Sequence, residues 1–286
     1  MLETIKLKSW SVFEKIIKKD LLDETQEVRV GPYFYRGHSD ATWHLKTTLE
    51  RSVEGLTLES YYHMIARIQP EIETFTERKW DLPKYQDYLI TLRKYPFRMD
   101  EQVKIYMGYL RHFGFPSPLL DWTLSPFVAA YFAFRDVTNT AKSIAIYRFL
   151  ASTNDKWELP LTDVAQIFPI YSSTQKNKRH HLQQSVYTIC LKETNNEIYF
   201  ANHEEPQLVG DEGGDYIIKY ELPASERITA LHSLEAYNIN VFSLIGSEES
   251  LLETLFLNTY KEAMMYENMY SGFPDSRKPD INGFWH

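Results

Sequence analysis

Arg36 stands at the end of an aromatic run, Tyr33-Phe34-Tyr35, and is followed by Gly37 and His38. A guanidinium at a strand end can hold a phosphate or carboxylate through two parallel hydrogen bonds, and a glycine beside it permits close backbone approach. The same arginine could instead belong to a buried ion pair. Its candidate partner is Asp121, the one acid in the apolar run Leu119-Leu120-Asp121-Trp122. Thr123, Ser125 and Pro126 come next. Serine followed by proline reads as a helix N-cap and first helical residue, and a helix start offers free N–H groups to an anion. An acid in a strand that feeds a capped helix is thus either part of a site or a core crossover with a hydrogen-bonded aspartate.

Further candidates lie to either side. His112 could act as a base, or as a cation closing a helix end. The cluster Lys176, Lys178, Arg179, His180 and His181 is either a solvated loop or a phosphate clamp. Gln183 and Gln184 carry amides that can bind a ribose hydroxyl or a base edge, or simply satisfy strand-edge backbone. His38, Asp40 and His44 match no standard metal-ligand spacing, and no metal is expected. Cys190 lies in the apolar run Val186 to Leu191, as a buried structural thiol would. The chain has no Gly-x-Gly-x-x-Gly, no Gly-x-x-x-x-Gly-Lys and no Gly-x-Ser-x-Gly.

The elements that must position these residues change character along the chain. Residues 11–22, 57–80 and 84–94 have helical spacing of apolar residues, as do 101–112 behind the cap Asp100. Gly31-Pro32 breaks the chain before the aromatic strand at 33–37. Gly114 suits the left-handed position after a helix, and Pro116 and Pro118 stop that helix. The polar-free segment Phe127 to Phe134 reads as a buried helix. Beyond it, 144–147, 186–191, 216–222 and 241–245 read as strands, a helix runs from Pro223 to about Tyr237, and Ser247 caps a last helix. No Pro/Gly/Ser-rich linker interrupts the chain. The expectation is one α+β domain over 1–270, with a central mixed or antiparallel sheet and a helical insertion at about 55–112 after the first strand. A loosely held tail follows from 271.

Composition bounds the function. The chain has 286 residues, 24% of them charged, with a formal net charge of −8. That balance disfavours general nucleic-acid binding, which relies on cationic surface. No carboxylate cluster suits two metals, so a nuclease ranks last. A single cysteine excludes an internal disulfide, and the longest apolar run, eight residues, is far short of the roughly 20 that span a bilayer. The N-terminus has no apolar signal core. A cytoplasmic protein with no membrane partner is expected.

Tyr35-Arg36-Gly37-His38-Ser39, then His112-x-Gly114-x-Pro116 and Leu119-Leu120-Asp121-Trp122-Thr123-x-Ser125-Pro126, resemble the FRG domain, a family named for its Phe-Arg-Gly motif. Gln183-Gln184-Ser185-Val186-Tyr187-Thr188 is similar to a later family segment, and the likeness runs over about 30–260. Ser117-Pro118 replaces the usual Thr-Arg, which implies that a second site arginine is missing; Ser185 replaces a glycine. The resemblance implies a setting in bacterial defence. A second, weaker resemblance is to the motif order of ADP-ribosyltransferases. It implies that Arg36 holds the pyrophosphate of NAD, Thr123 and Ser125 brace its ribose, and Gln184 orients the ribose or acceptor. Asp121 would stabilise a cationic centre, with Glu193 or Glu197 as possible substitutes for the late glutamate. These readings place Arg36, Asp121 and Gln184 as catalytic candidates. Gly37, His38, His112, Trp122, Thr123, Ser125 and Arg179 are ligand-binding candidates. Two functions follow: an NAD-consuming transferase or glycohydrolase with a macromolecular acceptor or water, or a non-catalytic module binding a small nucleotide, phosphate ligand or partner protein.

Overall fold

The computed structural model describes residues 2–22, 33–95, 99–138, 140–150, 160–170, 178–206, 216–256 and 259. Gly31-Pro32, Lys176 and the tail expected from 271 lie outside the described residues. The chain divides by its internal packing into Met1–Ile239 and Asn240–His286.

In the larger unit, β1 (Leu2–Lys6) and α1 (Trp10–Leu22) precede the aromatic strand β2 (Tyr33–His38). Four helices follow: α2 (Thr48–Ser52), α3 (Leu58–Thr76), α4 (Tyr85–Lys94) and α5 (Glu101–His112). Then come β3 (Leu120–Thr123), α6 (Pro126–Arg135), β4 (Ser143–Leu150), β5 (Gln166–Ile170) and α7 (Lys178–Leu182). β6 (Ser185–Thr194), β7 (Glu197–Phe200), β8 (Tyr216–Pro223) and α8 (Arg227–Ala236) complete it. The helical insertion therefore follows the second strand, because β1 precedes the expected first one. The capping signals hold: Asp100 accepts from the N–H groups of Gln102 and Val103, and Gly114 takes φ +87° after α5.

The sheet is mixed, in the order β1-β8-β4-β2-β3-β6-β5, with β7 also on β6. β1 runs parallel to β8, and every other pairing is antiparallel. β1, β5 and β7 were not expected from pattern. β5 carries Pro169, which a strand at the sheet edge tolerates because its other side needs no ladder N–H. β7 returns from β6 through Asn195-Asn196, both at positive φ as a tight hairpin requires.

β6 is buried on both faces, and its side chains alternate between two cores. Tyr187, Ile189 and Leu191 meet the helical layer through residues such as Tyr61, Tyr88 and Tyr106. Val186 and Cys190 face the opposite side with Phe34, Trp122, Tyr147 and Phe149. Cys190 is thus a buried packing residue, as expected. Residues opposite one another on neighbouring strands share a face, so Tyr35, Thr123, Asp121, Ser185 and Tyr187 lie on the helical side. On the β2–β4–β8 half that side carries α1 and α6, joined where Trp10 packs edge-on against Phe134 at 6.1 Å.

In the smaller unit Val241–Ile245 is not the expected strand but a helix, α9. Asn240 caps it reciprocally with Ser243, and Gly246 ends it at φ +69°. A five-residue apolar run cannot by periodicity alone be assigned to strand or helix, and the cap decides here. Ser247 accepts from the N–H of Ser250 at the start of the next helical segment, as expected.

Candidate functional site

The site begins where the sheet's hydrogen bonding stops. β2 pairs with β4 at six positions, from Tyr33↔Leu150 to His38↔Ala145, but with β3 at one, Tyr35↔Thr123. Past that pair the strands part. Arg36 alternates onto the side of Phe34 and His38, and its head enters the gap. There Nη1 donates to the backbone oxygen of Asp121 at 2.6 Å, in place of a ladder bond. Nε donates to Nε2 of His38 at 3.0 Å. Nη2 carries no hydrogen bond among the described residues. Over the gap lies a cleft of about 380 Å³, with β2, β3 and β6 as its floor.

Asp121 faces this cleft, with its side chain 39% exposed. It proves to be held chiefly by Arg111, not by Arg36. Arg111, in the last turn of α5, binds both carboxylate oxygens, with Nε to Oδ1 at 3.3 Å and Nη2 to Oδ2. Its Nη1 donates to Thr48 at 3.2 Å. Arg36 Nη1 is 3.9 Å from the carboxylate. Burial opposes ionisation of Asp121, but the charge and hydrogen bonds of Arg111, with Arg36 and His180, outweigh it and hold the carboxyl below its ordinary range. Burial also lowers the Arg36 guanidinium, which stays charged. An arginine does reach this carboxylate, from α5 and not from the position of Pro118. The signal for it was an arginine at a helix C-terminus, one turn-forming Gly-Phe-Pro-Ser-Pro segment away from the acid.

The rim comes from α5 and α7. His112 and His180 meet edge to face, with ring centroids 5.4 Å apart, and Arg179 lies beside them. Burial lowers both histidines, reinforced by Arg179 at His112 and by His112 at His180. Burial pushes the Tyr187 phenol up, and its hydroxyl shares a 2.7 Å hydrogen bond with Nε2 of His180, in a direction set by the imidazole tautomer. α6 adds an apolar wall, Ala129 and Phe132.

Gly37 has a structural reason to be glycine. A Cβ there would stand 2.0 Å from the carbonyl oxygen of Ala129 and 2.7 Å from the N–H of Ala133. The backbone of α6 is seated directly on β2, which only a residue without a side chain allows.

Several expected site residues are committed elsewhere. Ser125 does cap α6, accepting from the N–H of Val128 at 3.3 Å, and does not line the cleft, so the helix start is occupied by its own cap. Thr123 lines the cleft but donates to the backbone of Gln183 at 2.7 Å and accepts from the N–H of Ser125. Gln184 sits in a turn at φ +49°, outside the lining; Gln183 and Ser185 take the places beside it. Trp122 reaches the floor while its indole donates to Thr188 at 2.7 Å. His38 lies behind Arg36, not in the cleft, and is 7% exposed. Burial, then the Arg36 charge, pushes it down to about 3, so it is neutral. Glu193 pairs with Arg93 and Glu197 with Tyr199, and neither lines the cleft. Among the described residues no group of three or more His, Cys, Asp or Glu could hold a metal. No helix among them is long and apolar enough to cross a membrane.

Comparison with known proteins adds one match. The family model of the FRG domain fits residues 31–142, which take in Arg36, Gly37, Arg111, Asp121 and Thr123 and stop short of the rim residues Arg179 and His180. No curated protein and no solved structure matches the chain. Arg36-Gly37, seated under α6, and Asp121, held by Arg111, both fall inside the stretch that matches the FRG domain.

Proposed function

We propose that the cleft binds a phosphate-bearing nucleotide. The carrying observation is its charge: Arg36, Arg111 and Arg179 converge on a cleft whose described lining holds one carboxylate, Asp121. That excess favours an anion, and the size falls within the roughly 300–1,000 Å³ of small-molecule sites. Arg36 supplies the unused donors for a phosphate. Ala129 and Phe132 offer an apolar wall for a base or nicotinamide ring. The expected ligand class is a small nucleotide, and the family resemblance suggests a defence setting in which it serves as signal or substrate.

A catalytic form of this reading takes NAD as substrate and is favoured by Asp121, an ionised carboxylate that faces the cleft. The bond between C1′ of the ribose and nicotinamide would break with its electron pair leaving on nicotinamide. Asp121 would stabilise the cationic ribose, and water or an acceptor would add at C1′ and lose a proton. Binding without turnover is favoured by the same residue, because Arg111 already engages both of its oxygens. Incubating the purified protein with NAD and with ADP separates the two. Thermal stabilisation by both ligands with NAD intact marks a binding module. Released nicotinamide, lost in Asp121→Asn, marks the enzyme. No stabilisation by either ligand sinks the nucleotide reading.

A further inference from the structure

Arg36, Gly37 and His38 are consecutive and divide between the two faces of β2. Gly37 seats α6, and Arg36 enters the gap. His38 returns to the face of Arg36 and stands behind it. Its Nε2 accepts the Arg36 Nε–H at 3.0 Å, which requires the proton of the neutral ring to be on Nδ1. That Nδ1 is buried without a hydrogen-bond partner. The ring is held edge-on by Tyr147 at 5.1 Å and Trp43 at 6.1 Å, and the Tyr147 hydroxyl is itself tied to the backbone oxygen of Trp43 at 3.1 Å. The imidazole is clamped by two aromatic rings, and the side chain that hydrogen-bonds to it is the arginine.

We propose that His38 is the positioning residue of the cleft, a fixed acceptor that holds the Arg36 guanidinium so that only its Nη1–Nη2 end is offered to ligand. This rests on Arg36 being the anion's ligand. A guanidinium has five donors. His38 takes the one on Nε and the Asp121 backbone takes one on Nη1, leaving the second Nη1 donor and both on Nη2. With Nε engaged, a sideways grip through Nε and Nη2 is closed. Two oxygens of a phosphate are then taken end-on. Burial and the neighbouring charge of Arg36 keep His38 neutral, so the acceptor persists across the physiological range.

The test is nitrogen-15 NMR on the full chain, with ADP as the titrated probe. In the wild type, His38 is expected as the neutral Nδ1–H tautomer, and the Arg36 Nε–H as a resolved, slowly exchanging signal. His38→Leu removes the acceptor; the Arg36 signal should be lost to solvent exchange, and ADP affinity should fall about tenfold, the scale of a hydrogen bond to a charged group. His38→Gln, which keeps an acceptor oxygen, should recover both in part. An Nε2–H tautomer in the wild type, or an unchanged Arg36 Nε–H signal in His38→Leu, overturns the proposal. The wild-type tautomer decides even if the leucine variant does not fold. Failure of the wild type to bind ADP overturns the nucleotide reading, while the tautomer and exchange results still judge His38.

Discussion

The two flanks of β2 differ in what holds them. Toward β4 and β8 the ladder is unbroken, with six pairs and then eight, and the strands carry buried Ile144, Ile146, Tyr147 and Phe149. Toward β3 one pair forms, and a side chain bridges the rest. Each flank also contains an arginine beside an aspartate. Arg148 on β4 pairs with Asp20 of α1 and lies over the rings of Tyr33 and Tyr220, at 4.8 and 5.7 Å from their centroids. Its head is held within the fold, by that carboxylate and against both rings. Arg36 is just as deeply set, but it retains donors and borders a cleft. The difference shows that burial of an arginine does not separate structure from site; what its head borders does.

The largest test of this contrast is at the hinge between the flanks. Gly37→Val should leave no stably folded protein, because the added atoms meet helix backbone that cannot yield; a loss of about 3 kcal/mol or more is expected from overpacking of this kind, read by denaturant unfolding. Acid should then reveal the buried histidines behind the gap. His38 and His203 are each pushed down to about 3 by burial first and the Arg36 charge second. Both are neutral when folded and, once unfolded, take up a proton below about pH 6.5. Stability is therefore intact above about pH 6.5 and falls as pH drops toward 3, by about 1.4 kcal/mol per pH unit for each histidine. Asp121, whose carboxyl is lowered when folded, adds a further loss below about pH 4. Unfolding midpoints across that range measure the slope, and His38→Leu should reduce it by about 1.4 kcal/mol per pH unit.

Arg111→Met should cost less, about 2 kcal/mol, since Asp121 loses its bidentate partner but remains partly solvated. Chemical-shift titration should show the Asp121 carboxyl rising toward its ordinary range in that variant. The smallest effect is a gain. Gly108 lies within α5, where a Cβ would make an ordinary 3.8 Å contact with Tyr187. Gly108→Ala should stabilise by about 0.5–1 kcal/mol, in contrast to Gly37, from helix propensity alone.

Much of the scaffold was legible because it rests on local chemistry. Asp100, Ser125-Pro126 and Gly114 each mark a helix end by a residue that physically makes one, and all three do so. Elements that depend on distant partners were not. β1 gains its place from β8, more than 200 residues away, and β5 from the edge of β6. The Asn195-Asn196 turn was a local signal that could have announced β7. In the site, Arg36 and Asp121 stood out because a charge among apolar residues needs a reason. Arg111 did not, since an arginine at a helix end is ordinary until the fold brings an acid to it. Ser125 and Gln184 were read through motif order, whereas their side chains and φ angles commit them to a cap and a turn.

The central claim is that the broken flank of β2 is a binding site and the unbroken flank is not. Calorimetric titration with ADP of Arg36→Gln and Arg148→Gln, beside the wild type, tests it most directly. Arg36→Gln should remain folded and lose at least about tenfold in affinity, the scale of a charge-assisted hydrogen bond. Arg148→Gln should unfold at lower temperature and, while folded, bind ADP as the wild type does. Wild-type affinity in Arg36→Gln, or an equal loss of affinity in both variants, would contradict the account.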